Sequence, residues 1–275
     1  MSKKISIKQY DWKKELLEAF SPLGKISGKT STILVLMTIF SIAFFWQVVH
    51  IPFFPSPERA WKGFVHLWTK WDFLGEIITS ASLNLLAVVF TLIIGLGIAY
   101  STVIPAFRPL NASFATSLRF LSFGGMTLLI SGISANQYFI RMFLLVFSMG
   151  VFYVTGMVGI IASIPKKEYD HCRVTGYGRW RTVWEVIILG RRAEAWELLK
   201  QNFAIGWMML LTVENYSRSL GGVGVLMYSQ EKFLKLENLY AIQITILLLG
   251  IFLDYLFGVA KKFIAPYNAI DLERK

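Results

Sequence analysis

Six stretches of the chain are apolar almost without interruption, and polar or glycine-rich stretches separate them. They cover about residues 31–49, 77–100, 118–135, 139–164, 198–217 and 239–260. A helix needs roughly 20 apolar residues to cross a hydrocarbon core, so each stretch is predicted to be a transmembrane helix. The fifth is the weakest of the six. Its strictly apolar part, FAIGWMMLLTV, reaches that length only by taking in Leu198 and Leu199 before it, or Glu214, Asn215 and Tyr216 after it. The pattern therefore predicts an all-α polytopic membrane protein with about six transmembrane helices. Its parts are an N-terminal segment over 1–30, a transmembrane domain over 31–264 with a polar loop at about 165–200, and a tail over 265–275.

Composition agrees, with 55% hydrophobic and 16% charged residues against about a quarter charged in soluble domains. A net charge of +11 raises the question of a nucleic-acid partner, but the cations are placed as topology signals. Lysines crowd the segment before the first stretch (Lys3, Lys4, Lys8, Lys13, Lys14, Lys25 and Lys29). Lys166, Lys167, Arg173, Arg179, Arg181, Arg191, Arg192 and Lys200 fill the 165–200 loop, and Lys261, Lys262, Arg274 and Lys275 close the chain. The positive-inside rule then puts both termini and that loop in the cytoplasm, and no nucleic acid is called for. The first stretch, ILVLMTIFSIAFFWQVV, runs into bulky His50 and Ile51 rather than a small-residue cleavage site, so it is expected to be retained as a span. The lone cysteine, Cys172, excludes an intramolecular disulfide and falls in the cytoplasmic loop.

Candidate chemistry is sparse. GKISGKT at 24–30 is one residue short of a phosphate-cradling P-loop and leads into a membrane span rather than a soluble helix, so it reads as a basic cap facing anionic lipid. His50, His66 and His171 share no helical spacing, and neither a metal site nor a cofactor is expected. Two acids lie within the apolar stretches, Glu214 and Asp254. Such groups are costly in a bilayer and stand as functional candidates. Two readings are open for each: pairing with a neighbouring helix or snorkelling to the interface, or, for Glu214 with Asn215, facing an aqueous pathway between subunits. Gly95, Gly97 and Ala99, then Gly150, Gly156, Gly159, Ala162 and Ser163, are most simply faces where helices pack closely.

The loop holds YDHCRVTGYGRWRTVWEVIIL, residues 169–189. Ser163 is expected to cap a helix with Pro165 in its first turn, and Gly176 and Gly178 to end it. A second, amphipathic helix from Arg179 is expected to return Trp180, Val183, Trp184, Ile187 and Ile188 to the bilayer. A pair of this kind serves either as an interfacial anchor or as a knob inserted in a groove on a soluble partner.

The string resembles the motif E-A-A-x-x-x-G of permease subunits in binding-protein-dependent ABC importers, in their sulfonate, taurine and nitrate group. Asp170 stands at the acidic position, Arg173 to Thr175 at the variable ones and Gly176 at the glycine, while His171 and Cys172 replace two small alanines. PFFPSPERAW (52–61), GWMMLLTVEN (206–215), SLGGVG (219–224) and Asp254 are similar to that group as well. The resemblance implies a type I importer permease whose loop is a coupling helix: Asp170, His171, Cys172, Arg173, Gly176, Tyr177 and Gly178 would engage a cytosolic ABC ATPase. It also implies a gate or pathway near Glu214, Asn215, Gly221, Gly222 and Asp254. The implied partners are two ATPase subunits, a second permease copy, an external solute-binding protein and the lipid bilayer of a bacterial inner membrane. The implied cargo is a small anion such as a sulfonate, nitrate or bicarbonate, moved by a subunit that is not itself an enzyme. A secondary transporter, or a membrane scaffold or enzyme working without an ATPase, is the alternative.

Overall fold

A computed structural model describes residues 19, 21, 27–48, 55–109 and 117–264, and all regular structure among them is helical. The expected tail over 265–275 and most of the 1–30 segment lie outside the described residues. The chain divides into two units, Met1–Ala60 and Trp61–Lys275. The first holds helix α1, Gly28–Val48, an apolar helix. Its hydroxyls turn back on its own backbone, Thr32 Oγ1 donating to the Gly28 carbonyl at 2.9 Å and Thr38 Oγ1 to the Leu34 carbonyl at 2.9 Å. That suits a helix surrounded by lipid, where every polar atom needs a partner within the segment.

The second unit is built on α2 (Pro57–Lys70, which begins in the first unit), α3 (Phe73–Ser101), α4 (Phe123–Ile133) and α5 (Gln137–Ala162). The loop follows as α6 (Lys166–Val174) and α7 (Arg179–Thr182), the latter running on as a π-helical turn over Val183–Leu189. The chain closes with α8 (Arg192–Tyr216), α9 (Val223–Lys232) and α10 (Leu236–Ile264). Among the described residues four helices, α1, α3, α5 and α10, are long and apolar enough to cross a bilayer.

Two of the six expected spans differ. The stretch at 118–135 forms only the 11-residue α4, about 16 Å long and too short to cross alone. Ser122 starts it late, its Oγ accepting from Gly125 N–H at 3.4 Å. The stretch at 198–217 is longer than expected, 25 residues from Arg192, because Ala193, Ala195 and Leu199 are buried and carry the helix through its charged first turns.

The core sits where α3, α5 and α8 meet. Leu83, Ala87 and Val88 pack with Leu144, Leu145, Met149, Tyr153 and Met157, and with Leu199, Phe203, Leu210 and Val213. Missing side chains permit the approach at particular points: a Cβ on Gly95 would lie 2.7 Å from the Tyr153 ring, and one on Gly156 would lie 2.6 Å from Leu198. These two glycines are packing contacts, as the sequence suggests, while Gly97, Gly150 and Gly159 have open space beside them. Lipid and helix are equally apolar, so close packing of this kind replaces the hydrophobic effect in holding spans together.

Candidate functional site

Two groups of bonded polar side chains lie at opposite ends of α8. At its C-terminal end the chain leaves through Ser217, makes a 3-10 turn over Arg218–Leu220, and enters α9 after Gly221 and Gly222. Both glycines have left-handed backbone, φ 69° and 111°, which a side chain would strain. The turn aims the first N–H groups of α9 at α3 and α8, and each finds an acceptor. Gly222 N–H donates to Glu76 Oε2, Val223 N–H to Ser80 Oγ at 2.8 Å, and Gly224 N–H to Glu214 Oε2 at 2.7 Å. Ser80 Oγ in turn donates to Glu214 Oε1 at 2.6 Å. The first N–H groups of a helix lack internal partners and carry positive partial charge, so carboxylates are the fitting caps.

The other end of the same turn is held by a cation. Arg141, only 1% exposed within α5, donates through Nε to the Ser217 carbonyl at 3.0 Å and through Nη2 to the same oxygen. Ser217 Oγ donates to Gln137 Oε1 at 2.6 Å. Three helices thus grip one turn: α3 by Glu76 and Ser80, α5 by Arg141 and Gln137, and α8 by Glu214. Beside this clasp lies a cavity of about 450 Å³ lined by Thr79, Ser82, Leu86, Tyr138, Arg141 and Leu220 among others.

Of the two readings open for Glu214, the structure shows engagement with neighbouring helices. Its side chain is fully buried and both oxygens are engaged, so it works inside the bundle as a cap. Gly221 and Gly222 join it in the clasp, whereas Asn215 is only half-buried with Oδ1 unpartnered. Asp254 is elsewhere. It pairs with Lys200 at 2.9 Å, some 21 Å along α8 from Glu214 by helical rise, and Glu197 pairs with Lys261 at 2.7 Å close by. Of the two readings open for Asp254, the structure shows pairing with a neighbouring helix.

At the N-terminal end of α8 stands the 166–190 projection. Ser163 does not cap α6; it ends α5, with Oγ on the Ile160 carbonyl at 2.8 Å, and extended Pro165 precedes α6 instead. Gly176, with φ 80°, ends α6 as expected. Its N–H reaches the Arg173 carbonyl at 3.0 Å while Tyr177 N–H reaches the Cys172 carbonyl at 3.0 Å, the paired bonds of a Schellman turn. Inward, Cys172 packs with Ile164, Val186 and Ile187. Outward, Val174 is 88% exposed and Trp180 75%, with His171, Arg173, Tyr177, Gly178 and Arg179 also exposed. Asp170 makes only a loose 3.7 Å pair with Arg173, and Tyr177 lies under Arg181, 4.5 Å from guanidinium carbon to ring centroid.

In this projection Cys172 is turned into the bundle. Among the residues expected to return from Arg179 toward the bilayer, Ile187 is buried against the protein beside Val186, Val183 and Ile188 are half-buried, and Trp180 and Trp184 are exposed on the protein surface. The segment from Val183 to Leu189 is a π turn. Its bond runs from Gly190 N–H to the Glu185 carbonyl at 3.0 Å. The base is clamped by Arg191, which meets Glu168 of α6 at 2.5 Å and Glu194 of α8 at 3.2 Å. Burial disfavours the Arg191 charge, but the hydrogen bonds to these two carboxylates outweigh it and hold the guanidinium above its ordinary value. Burial also pushes the nearby Tyr169 phenol up, against the pull of Arg191.

Among the described residues no group of three or more His, Cys, Asp or Glu side chains could hold a metal ion. Glu76, Ser80 and Arg141 are the site residues that sequence reasoning did not bring together; the i, i+4 spacing of Glu76 and Ser80 at the mouth of an apolar helix was the one available signal. The mostly helical chain, with several long apolar helices, is consistent with a polytopic membrane protein. No family model matches the chain, and no curated protein matches it.

Proposed function

We propose that this chain is the transmembrane permease subunit of an ATP-driven importer of the binding-protein-dependent type, working with a separate cytosolic ATPase. The observation that carries the reading is the projection at 166–190: an exposed tip of Val174, Tyr177 and Trp180 on a base clamped by Arg191 to the start of α8. A soluble partner that grips such a tip moves α8 with it. That helix has 25 residues and extends about 37 Å, ending in the clasp around the 217–222 turn. Displacement at one end is thereby delivered to the polar clasp at the other.

In this reading closure of the ATPase pair draws the projections of two permease copies together, and the clasp opens or seals the far side of the pathway. Hydrolysis returns the system. The six-span architecture requires α4 and α8 to lie in the bilayer beside the four long apolar helices, both termini to be cytoplasmic, and the membrane to be a bacterial inner membrane. The cargo is a small solute, an anion such as a sulfonate, nitrate or bicarbonate in keeping with the sequence resemblance, handed over by an external binding protein. The chain contributes no catalytic group of its own.

Affinity purification from mild detergent tests the proposal. A P-loop ATPase that co-purifies with the intact chain, and is lost when Val174 and Trp180 are both replaced by Asp, supports it. Reproducible absence of an ATPase, together with solute uptake by the chain alone in proteoliposomes without ATP, would give the chain to a secondary transporter instead.

A further inference from the structure

The 14-residue α2 has three different sides. At 100° per residue, Gly63 and Leu67 form one stripe. Leu67 is fully buried against Val223, Leu226, Ala241 and Ile242, and Gly63 lies so close to the Glu237 backbone that a Cβ would collide with it. On the opposite side Trp61, Val65 and Trp68, spaced i, i+4, i+7, are 66%, 45% and 46% exposed. Between these two stripes, on one flank only, lie Lys62, His66 and Thr69, with His66 Nδ1 3.4 Å from Asn238 Nδ2. One side meets protein, one is polar, and one is an uncovered stripe of tryptophan and valine.

Ring contacts tie the uncovered stripe to the start of a span: Trp61 to Phe64 at 5.5 Å, Phe64 to Trp68 at 5.9 Å, and Trp68 to Phe73 at 6.0 Å. Phe73, itself buried beside Leu67, opens α3, whose outward residues Leu74 and Ile78 are 51% and 58% exposed. Only Trp71 and Asp72 separate α2 from that membrane-crossing helix, so the connection alone holds α2 at the level where α3 enters the bilayer. Tryptophan is the side chain suited to that level, an apolar body with one donor that stays in the headgroup layer. A helix with an apolar face and a cationic flank lies in the interface plane.

The geometry points to α2 as an interfacial anchor: it lies along the membrane surface with Trp61, Val65 and Trp68 immersed in the phospholipid headgroup and upper acyl layer and Lys62, His66 and Thr69 facing water. The occupant of the exposed stripe is therefore lipid rather than a soluble protein. The inference depends on the chain being embedded in a membrane and does not depend on an ATPase. Anchored in this way, α2 fixes the α9–α10 corner, through Gly63 and Leu67, at a set depth in the bilayer.

Nitroxide labels on single cysteines at positions 61, 65, 68, 62 and 69, in a Cys172→Ala background, test it in nanodiscs of phosphatidylethanolamine and phosphatidylglycerol with no other protein added. Labels at 61, 65 and 68 should collide more with dissolved oxygen than with a water-soluble nickel chelate, and those at 62 and 69 should show the reverse. Equal access of the chelate at all five positions overturns the inference, and so does protection of 61, 65 and 68 that appears only on adding a soluble binding protein. Should a cysteine variant fail to insert, Trp61→Phe with Trp68→Phe gives a second measurement. The pair should remove a measurable share of the tryptophan fluorescence quenched by brominated lipids, and an unchanged quenched share overturns the inference equally.

Discussion

Replacing Glu214 by alanine removes the acceptor of two hydrogen bonds at a side chain with no exposed surface, from Ser80 Oγ at 2.6 Å and Gly224 N–H at 2.7 Å. Each buried polar group left without a partner costs about 1–3 kcal/mol, so the pair costs about 2–6 kcal/mol before any charge effect on nearby Arg141. Glutamine behaves differently. Its carbonyl oxygen can accept from Gly224 while its amide donates to Ser80, whose oxygen already accepts from Val223 N–H at 2.8 Å. The Ser80 hydroxyl proton then loses its acceptor, so glutamine costs about 1–3 kcal/mol, half of what alanine costs. At roughly 2–4 °C per kcal/mol for a chain of this size, alanine should lower the midpoint of thermal unfolding by about 4–24 °C and glutamine by about 2–12 °C. The measurement is intrinsic tryptophan fluorescence of the detergent-purified protein during a temperature ramp. If glutamine proves as damaging as alanine, the side chain acts as a charge rather than as a hydrogen-bonding cap. If neither moves the midpoint, the clasp does not hold the turn at all.

Two further substitutions bear on the same architecture. Gly222→Ala should destabilise by about 1–3 kcal/mol or more, since it forces a side chain onto left-handed backbone and against the Glu214 carboxyl, whereas Gly97→Ala, with open space beside it, should leave the unfolding midpoint within error in the same thermal assay. The Cys172 thiol, only 9% exposed on the inner face of α6, should react slowly with maleimide in the folded protein and rapidly after denaturation in detergent; equal rates would place α6 away from Val186 and Ile187.

Much of the frame follows from hydropathy. The long helices α1, α3, α5 and α10 are continuous apolar runs, and length decides them. The polar loop between α5 and α8 is equally plain, and Gly176 ends its first helix because no other residue takes φ 80° so readily. What hydropathy missed depends on tertiary partners. The α8 helix starts among charges that a window average counts against it, but Glu197 and Lys200 are paired with Lys261 and Asp254 of α10. The burial of Val186 beside Ile187 falls in a π turn that ordinary helical periodicity does not contain. The clasp links Ser80 to Glu214 across 134 positions, and Arg141 to Ser217 across 76. A single sequence shows which face of a helix is polar, and it does not show which distant residue that face meets.

The distribution of polar contacts along α8 bears on how motion could travel through it. At its N-terminal end Arg191 ties it to α6, and Glu197 and Lys200 tie it to α10; at its C-terminal end Glu214 ties it to α3 and α9. The middle is different. There Asn84 and Thr91 of α3 and Asn202 of α8 are buried with polar atoms that have no protein partner, and a Cβ on Gly206 would lie 2.7 Å from Asn84 Oδ1. Each such atom disfavours this packing by about 1–3 kcal/mol, while the bonded groups at the two ends favour theirs. Polar bonds therefore tie α8 at its two ends, while along the seam with α3 apolar packing of Leu83, Ala87, Leu199 and Phe203 holds the helices with polar groups left unbonded. In the proposed coupling, that seam is where α8 would turn or slide when the projection is pulled.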